Sequence, residues 1–178
     1  MSGFLKSTET KQLDFNRPLK QLRFGIVGQG ELLPLVAAEL QARNFTIVWV
    51  SRDPIIDNYQ ITSEIPLFPL SSVLQPEFSS PAVDVLLSID TPAILPSELL
   101  HSVKYALHFH PTRLPRYCGW YAYSWPLLQR ERVHGACWQL ITPGSPANHG
   151  PIVASAPTFG VSSDETAQTL SEKCTRHG

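Results

Sequence analysis

Two histidines mark the segment of this sequence that is best equipped for chemistry. His108 and His110 close an apolar run, and the proline-stiffened segment 111–119 follows them. Residues two apart on a strand share one face, so the two imidazoles would point the same way. One of them could be an acid–base or electrostatic catalyst, and the pair could bind a metal ion. Both could also be hydrogen-bonded residues at a strand end, without a catalytic role.

A metal site at this pair would need further ligands, because zinc sites use more than two protein side chains. Cys118, His134 and His149 carry suitable atoms, but no regular spacing links them to the pair. We therefore predict that the protein needs no metal.

The segments before the histidines predict a β-α-β unit and hence a parallel sheet. Residues 22–28 and 45–51 are short apolar runs, which are typical of buried strands. Between them, apolar residues repeat at helical spacing at Leu32, Leu33, Val36, Ala37 and Leu40. A strand, a helix and a second strand in this order give parallel strands joined by a right-handed crossover.

Later segments predict further elements of the same sheet. Strands are expected at residues 83–88, 105–110, 135–142 and 151–156. A helix is expected at residues 121–132, with Trp125 and Leu128 on one face. A last helix is predicted from Ser162, because Ser162 and Glu165 fit a capping box. Its apolar stripe would consist of Ala167, Leu170 and Cys174. Since it stops at Gly178 after few turns, we expect the chain to be part of a longer protein.

Gly28 and Gly30 form the outline of a dinucleotide-binding loop. They lie between the first strand and the first helix, and Asp53 follows about twenty residues on, as in that pattern. However, Leu33 replaces the third glycine, and its side chain would crowd the contact between helix and strand. We therefore favour a tight turn of a doubly wound sheet, and keep a nucleotide-binding Rossmann domain as a weaker alternative.

The composition is that of a folded protein with one core. The chain has 178 residues, of which 43% are hydrophobic and 16% charged, and its net charge is −1. This balance offers no broad basic surface for nucleic acids or membranes, and no apolar run is long enough to span a bilayer. Three widely spaced cysteines and a polar amino terminus predict a cytoplasmic protein with reduced thiols. We expect residues 1–20 to be a flexible leader and residues 21–178 a catalytic domain.

Several segments resemble, in order, the motifs of the formyltransferases that use 10-formyltetrahydrofolate. The histidine segment HFHPTRLPRYCG resembles N-x-H-P-S-x-L-P-x-Y-R-G, and the strand GACWQL resembles G-[VA]-T-x-H-x-M. Residues 125–131, 147–152 and 164–167 are similar to W-A-[IL]-x-x-G-E, I-D-T-G-P-I and D-[DE]-T-A. Residues 83–88 and 94–96 resemble the strand and turn that cradle the pterin. The resemblance covers residues 22–175 and implies a Rossmann-like, open, mostly parallel sheet with helices on both faces.

The resemblance implies transfer of a formyl group from 10-formyltetrahydrofolate to an amine, with His110 as the central catalyst. The family's Asn and Asp positions hold His108 and Asn148, which are therefore altered partners. The folate would bind near Ser88, Ile94, Leu95, Pro96 and Gly150. Arg113 and Tyr117 are candidates for contact with the acceptor. That acceptor would be an amino sugar, an aminoacyl group, including one bound to a carrier of a nonribosomal peptide synthetase, or a similar amine.

The altered positions matter because formyl transfer passes through an oxyanion that needs hydrogen-bond donors, while an imidazole moves protons. Asn148 can orient a ring but cannot stabilise its charged form, so Asn148→Asp is expected to raise the rate. His108 can replace an amide donor only when it is protonated or in the right tautomer. A second hypothesis stays open, namely a catalytically silent binding or docking module of a larger assembly.

Overall fold

Strands and helices alternate along the part of the chain that this computed structural model describes, residues 18–52 and 64–178. In chain order they are β1 (Arg23–Gly28), α1 (Leu32–Ala42), β2 (Thr46–Arg52), β3 (Leu67–Pro69), α2 (Leu70–Val73), β4 (Val85–Ile89), α3 (Ser97–Ser102), β5 (Tyr105–His110), α4 (Ser124–Leu128), β6 (Val133–His134), β7 (Cys137–Leu140), β8 (Ile152–Ser155), β9 (Phe159–Gly160) and α5 (Ala167–His177). Asp53 and most of the expected leader lie outside the described residues.

The main sheet joins seven of these strands in the order β3-β2-β1-β4-β5-β7-β8. β1 runs parallel to β2 and β4, and β4 runs parallel to β5. β7 is antiparallel to both of its neighbours, β5 and β8. The predicted fold class, a mostly parallel open sheet with helices, is thus confirmed. β5, which ends at His110, is the strand at which the parallel and antiparallel parts meet.

Helices cover both faces of the sheet because strand residues alternate between two cores. Ile26 and Leu87 belong to the core that α1 and α5 complete. Their strand neighbours Val27 and Leu86 belong to the core that α2 and α3 complete. Successive residues of a strand point to opposite faces, so a strand buried on both faces needs an unbroken apolar run. This requirement is why the runs in the sequence predict strands.

α4 is shorter than the sequence predicts. It spans Ser124–Leu128 rather than residues 121–132, and both Trp125 and Leu128 are exposed. Tyr121 and Arg130, on either side of it, have φ angles of 62° and 54°. These left-handed conformations cannot belong to a right-handed helix, so the helix is confined between them.

α5 begins at Ala167 and not at Ser162, because Thr166 caps it. The Thr166 side chain accepts a hydrogen bond from the backbone N–H of Thr169, whose own side chain accepts from the Thr166 N–H. Glu165, the expected partner of Ser162 in a capping box, forms an ion pair with Lys173 and accepts only long hydrogen bonds of 3.5 Å from the backbone N–H and the hydroxyl of Ser162. The capping box is therefore real but lies four residues further along the chain.

The buried stripe of α5 consists of Leu170 and Cys174. Ala167, the third residue expected there, is exposed because it opens the helix. Neither α5 nor any other helix in the described ranges has the length and apolar character needed to cross a membrane.

The glycine loop after β1 is a tight turn. Gly28 and Gly30 have φ angles of 147° and 81°, which suit glycine. A Cβ atom on Gly28 would lie 1.7 Å from the carbonyl oxygen of Ile89. Leu33 is fully buried in the core beside the turn. Backbone geometry therefore accounts for both glycines without a bound nucleotide.

Candidate active site

His108 and His110 lie side by side at the carboxyl end of β5. Their ring centroids are 5.9 Å apart, and His110 is only 3% exposed. In the parallel pairing of β4 with β5, Ser88 is the neighbour of His108. Asp90 lies one residue beyond β4, whose last paired residue, Ile89, is the neighbour of Phe109. Open α/β sheets bind their ligands at this edge, so the sheet places both histidines where a ligand would sit.

The hydrogen bonds around Ser88 fix the tautomer of His108. The Thr91 hydroxyl donates to the carbonyl oxygen of Val27 at 3.3 Å, so it must accept from the Ser88 hydroxyl at 2.8 Å. Ser88 then has no hydrogen left for Nδ1 of His108, 3.2 Å away, and accepts from it. Neutral His108 consequently carries its hydrogen on Nδ1 and an electron pair on Nε2.

His108 is neutral at physiological pH. Burial, and after it the nearby His110, lower the pKa of His108 to about 4, although the backbone of Ser88 favours the charged ring. A neutral ring protonated on Nδ1 offers the site an acceptor at Nε2 rather than a donor. His108 therefore does not supply the hydrogen bond that an amide would supply in its place.

His110 donates a hydrogen bond to the loop that covers it. The carbonyl oxygen of Tyr117 can only accept, so Nε2 of His110, 3.0 Å away, carries the hydrogen and Nδ1 the electron pair. Burial lowers the pKa of His110, and His134 adds to this effect, whereas the Tyr117 carbonyl opposes it. His110 is thus a neutral ring in a fixed orientation, with Nδ1 as its basic atom.

The loop that covers His110 is fastened by its own side chains. Thr112 donates to the carbonyl oxygen of Arg116 at 2.8 Å, and Arg116 forms an ion pair with Glu131. The Tyr117 hydroxyl also donates to Glu131, at 2.8 Å. Of the two residues predicted to contact an acceptor, Tyr117 therefore has its hydroxyl engaged, whereas Arg113 is exposed.

Asn148 joins this edge of the sheet through hydrogen bonds. Its Nδ2 donates to the carbonyl oxygen of Cys118 at 2.5 Å, and its Oδ1 accepts from Nε2 of Gln139 at 2.6 Å. Gln139 lies directly opposite His108 in the pairing of β5 with β7. The sheet thus brings the two histidines together directly, and Asn148 joins them by way of Gln139. Gln139 is not among the residues predicted from the sequence. It nevertheless occupies the position of the histidine in the motif G-[VA]-T-x-H-x-M, which the strand resembles.

Asp90 is a second residue that the sequence analysis misses. Its carboxylate accepts a hydrogen bond from the Tyr123 hydroxyl, at 3.3 Å to Oδ2. Burial raises the pKa of Asp90 to about 6, against the opposing effect of the Tyr123 bond. Asp90 lines a pocket of about 240 Å³ with Gly30, Glu31, Gln168, Ser171, Glu172 and Thr175. An acidic residue directly after a buried strand, one strand away from His110, is the signal that would have found it.

The turn after β4 exposes an apolar side chain. Ile94 is 82% exposed, whereas Leu95 is buried in the core and anchors the turn, and Pro96 precedes α3. The Ser88 hydroxyl is engaged by its neighbours, as described above. A Cβ atom on Gly150 would lie 1.7 Å from a carbonyl oxygen of β7. An exposed isoleucine on an anchored turn fits a flat, largely apolar ring.

The histidine pair has no third metal ligand among the described residues, since no group of three or more His, Cys, Asp or Glu side chains is arranged to hold an ion there. The further ligands considered above have other roles. His134 donates to the carbonyl oxygen of Pro111 at 2.8 Å, and Cys118 is exposed. That the protein needs no metal stays a prediction, which elemental analysis of the untagged protein can check.

Comparison with known proteins identifies the fold. No family model matches the sequence. A methionyl-tRNA formyltransferase of Thermodesulfovibrio yellowstonii is 32% identical over 81 residues, which are 45% of this chain and 25% of that protein. The phosphoribosylglycinamide formyltransferase of Bacillus halodurans superposes with a TM-score of 0.65 at 17% identity, over 86% of this chain and 88% of that one. An N-formyltransferase of Helicobacter canadensis, in complex with folinic acid and dTDP-3-aminofucose, gives 0.64 at 18% identity, over 88% and 59%. The chain therefore has the formyltransferase fold.

Proposed function

We propose that this protein transfers a formyl group from 10-formyltetrahydrofolate to an amine. The observation that carries the proposal is His110 itself, a buried neutral ring at the carboxyl end of β5 whose basic atom is Nδ1. The resemblance of the surrounding motifs to the formyltransferases, and the folinic acid in a protein of similar fold, support the choice of donor.

The donor side of the site would be the turn after β4. When bound, the folate supplies a formyl group on a nitrogen that can leave. Ile94 would contact its ring, while the buried Leu95 keeps the turn in place. Gly150 would let the loop after β7 approach closely, because the space for a side chain there is taken by backbone.

His110 would move the proton. Its Nδ1 would accept a proton from the amine as that amine attacks the formyl carbon, and would return it to the folate nitrogen as the bond from this nitrogen to the formyl carbon breaks. Its Nε2–H would stay bound to the Tyr117 carbonyl, which fixes the ring. The cover over His110 keeps water from competing with the amine. His108 gives little help to the developing oxyanion at neutral pH, because its Nε2 is an acceptor. We therefore propose that formyl transfer is slower than it would be with an amide donor at residue 108.

The acceptor would enter through the Asp90 pocket. The pocket carries the side chains of Glu31, Asp90 and Glu172 and, among its lining residues, no Lys or Arg. Such a lining repels phosphate and favours amines whose neighbouring groups are hydroxyls or cations. An amino sugar or an aminoacyl group, including a carrier-bound one, fits this requirement.

The proposal is tested by turnover of 10-formyltetrahydrofolate with a panel of amino sugars and aminoacyl thioesters, followed by mass spectrometry of the formylated product. His110→Ala should abolish turnover, whereas His101→Ala, at an exposed residue of α3, should not change it. Folate binding in calorimetry without turnover would instead support the second hypothesis, a catalytically silent binding module. Two observations favour that hypothesis: Nε2 of His108 is an acceptor, and Asn148 is neutral. Absence of both binding and turnover would contradict both functions.

A further inference from the structure

One backbone carbonyl fixes the orientation of two side-chain amides in this site. The Cys118 oxygen can only accept, so Asn148 must turn its Nδ2 toward it, at 2.5 Å. Oδ1 of Asn148 then faces Gln139, whose Nε2 must donate, at 2.6 Å. Neither amide can rotate by half a turn without bringing two oxygen atoms together.

This arrangement leaves a polar atom of Gln139 without a hydrogen bond. The residue is 2% exposed, and its Oε1 has no hydrogen-bond partner among the described residues. A buried acceptor without a partner destabilises a fold. The side chain nevertheless keeps the orientation that serves Asn148, and it does so directly opposite His108 on the neighbouring strand.

We propose that Gln139 is a positioning residue that holds Asn148 as a neutral amide beside the histidines. Residue 148 can then work as a carboxylate only if residue 139 changes with it. This inference rests on the proposed formyl transfer, in which residue 148 acts through the histidine centre.

The hydrogen bonds reverse the outcome that the sequence predicts for Asn148→Asp alone. A carboxylate oxygen would face the Cys118 carbonyl oxygen, in the place of the present N–H donor, and Gln139 would satisfy only the other oxygen. The new charge would be half-buried and would face a carbonyl oxygen, which raises the pKa of its carboxyl group and strains the loop. Gln139→His supplies a side chain that can hold a positive charge and pair with the carboxylate.

The test is a double-mutant cycle of wild type, Asn148→Asp, Gln139→His and the double variant, with kcat, KM for the folate, and Tm measured for each. We expect Asn148→Asp to lower kcat about tenfold with little change in KM, and to lower Tm by about 5 °C. The double variant should regain kcat and Tm to at least the wild-type values. A purely structural role for Gln139 would not couple to kcat.

Asn44→Asp makes the same substitution at an exposed asparagine with a similar φ angle of 61°, and it should leave kcat unchanged and Tm nearly so. Additive effects of the two substitutions on kcat would overturn the inference. If wild type transfers no formyl group, the proposed function fails. The four Tm values then test the inference: non-additive changes in Tm support it, and additive changes contradict it.

Discussion

His108→Asn should convert an acceptor into a donor at the centre of the site. Neutral His108 presents the electron pair of Nε2, and only the charged ring presents a hydrogen. With a pKa of about 4, the charged fraction is about one in a thousand at neutral pH. The amide of an asparagine presents an N–H at every pH. The variant therefore always offers a hydrogen-bond donor, which wild type offers only when His108 is charged.

The expected gain follows from these populations. One well-placed donor to an oxyanion changes kcat by about a hundredfold to a thousandfold. At neutral pH the variant should therefore be faster than wild type by up to this factor. As the pH falls, the charged fraction of His108 rises about tenfold per unit until the pH nears its pKa. The rate ratio of variant to wild type should therefore fall with the pH, by less than tenfold per unit while the neutral ring carries most of the wild-type rate and by up to about tenfold per unit once the charged ring carries it, while the titration of Asp90 and of the amine cancels in the ratio.

The assay is kcat/KM for formyl transfer by both proteins between about pH 7 and pH 5, with His101→Asn as a surface control. A ratio that stays constant over this range would refute the assignment of the hydrogen to Nδ1 and of the pKa to His108. Nitrogen-15 NMR of the ring tests the same point without turnover, because protonated and unprotonated ring nitrogens resonate apart. A protonated Nε2 in the neutral ring would contradict the hydrogen-bond argument.

Three further outcomes are expected. Because the folded-state pKa of His108 is about 4 against an ordinary 6.5, wild type should lose about 3 kcal/mol of its free energy of unfolding as the pH falls from 6.5 through 4, whereas His108→Gln should not lose this part; in urea unfolding, the variant should gain on wild type by this amount between neutral and acid pH. Gly150→Ala should lower the free energy of unfolding by about 2 kcal/mol or more, because its Cβ atom would strike a carbonyl oxygen, whereas Gly119→Ala, with open space around it, should be nearly neutral in the same urea titration. A thiol reagent should modify Cys118 in the native protein and reach the two buried cysteines, whose pKa burial raises, only after unfolding.

The fold could be predicted from the sequence where local patterns decide it. Strands β1, β4 and β5 are apolar runs because they are buried on both faces, and the spacing of His108 and His110 follows directly from strand geometry. The ends of α4 could not be predicted, since Tyr121 and Arg130 adopt left-handed conformations that their residue types do not indicate.

The chemistry of the site was less accessible than its position. The tautomer of His108 depends on the hydroxyl of Thr91 and the carbonyl of Val27, which the sequence does not connect to it. We expect the carbonyl of Cys118 to reverse the gain that the sequence predicts for Asn148→Asp alone, and this backbone atom leaves no mark in the residue types. Motif comparison assigns residues to positions, but the direction of each hydrogen bond has to come from the structure.

Asn148 has a φ angle of 60°. Among residues with a side chain, asparagine and aspartate adopt this conformation with little strain, so the backbone admits few alternatives at this position and a carboxylate is one of them. A single substitution, Asn148→Asp, would therefore make the centre acidic, but the order of this change and the change at residue 139 matters. A lineage that first acquires a cation at residue 139 avoids an intermediate with an unpaired charge, whereas the reverse order passes through one. We expect proteins related to this chain that have an acid at residue 148 to have a side chain at residue 139 that can carry a positive charge.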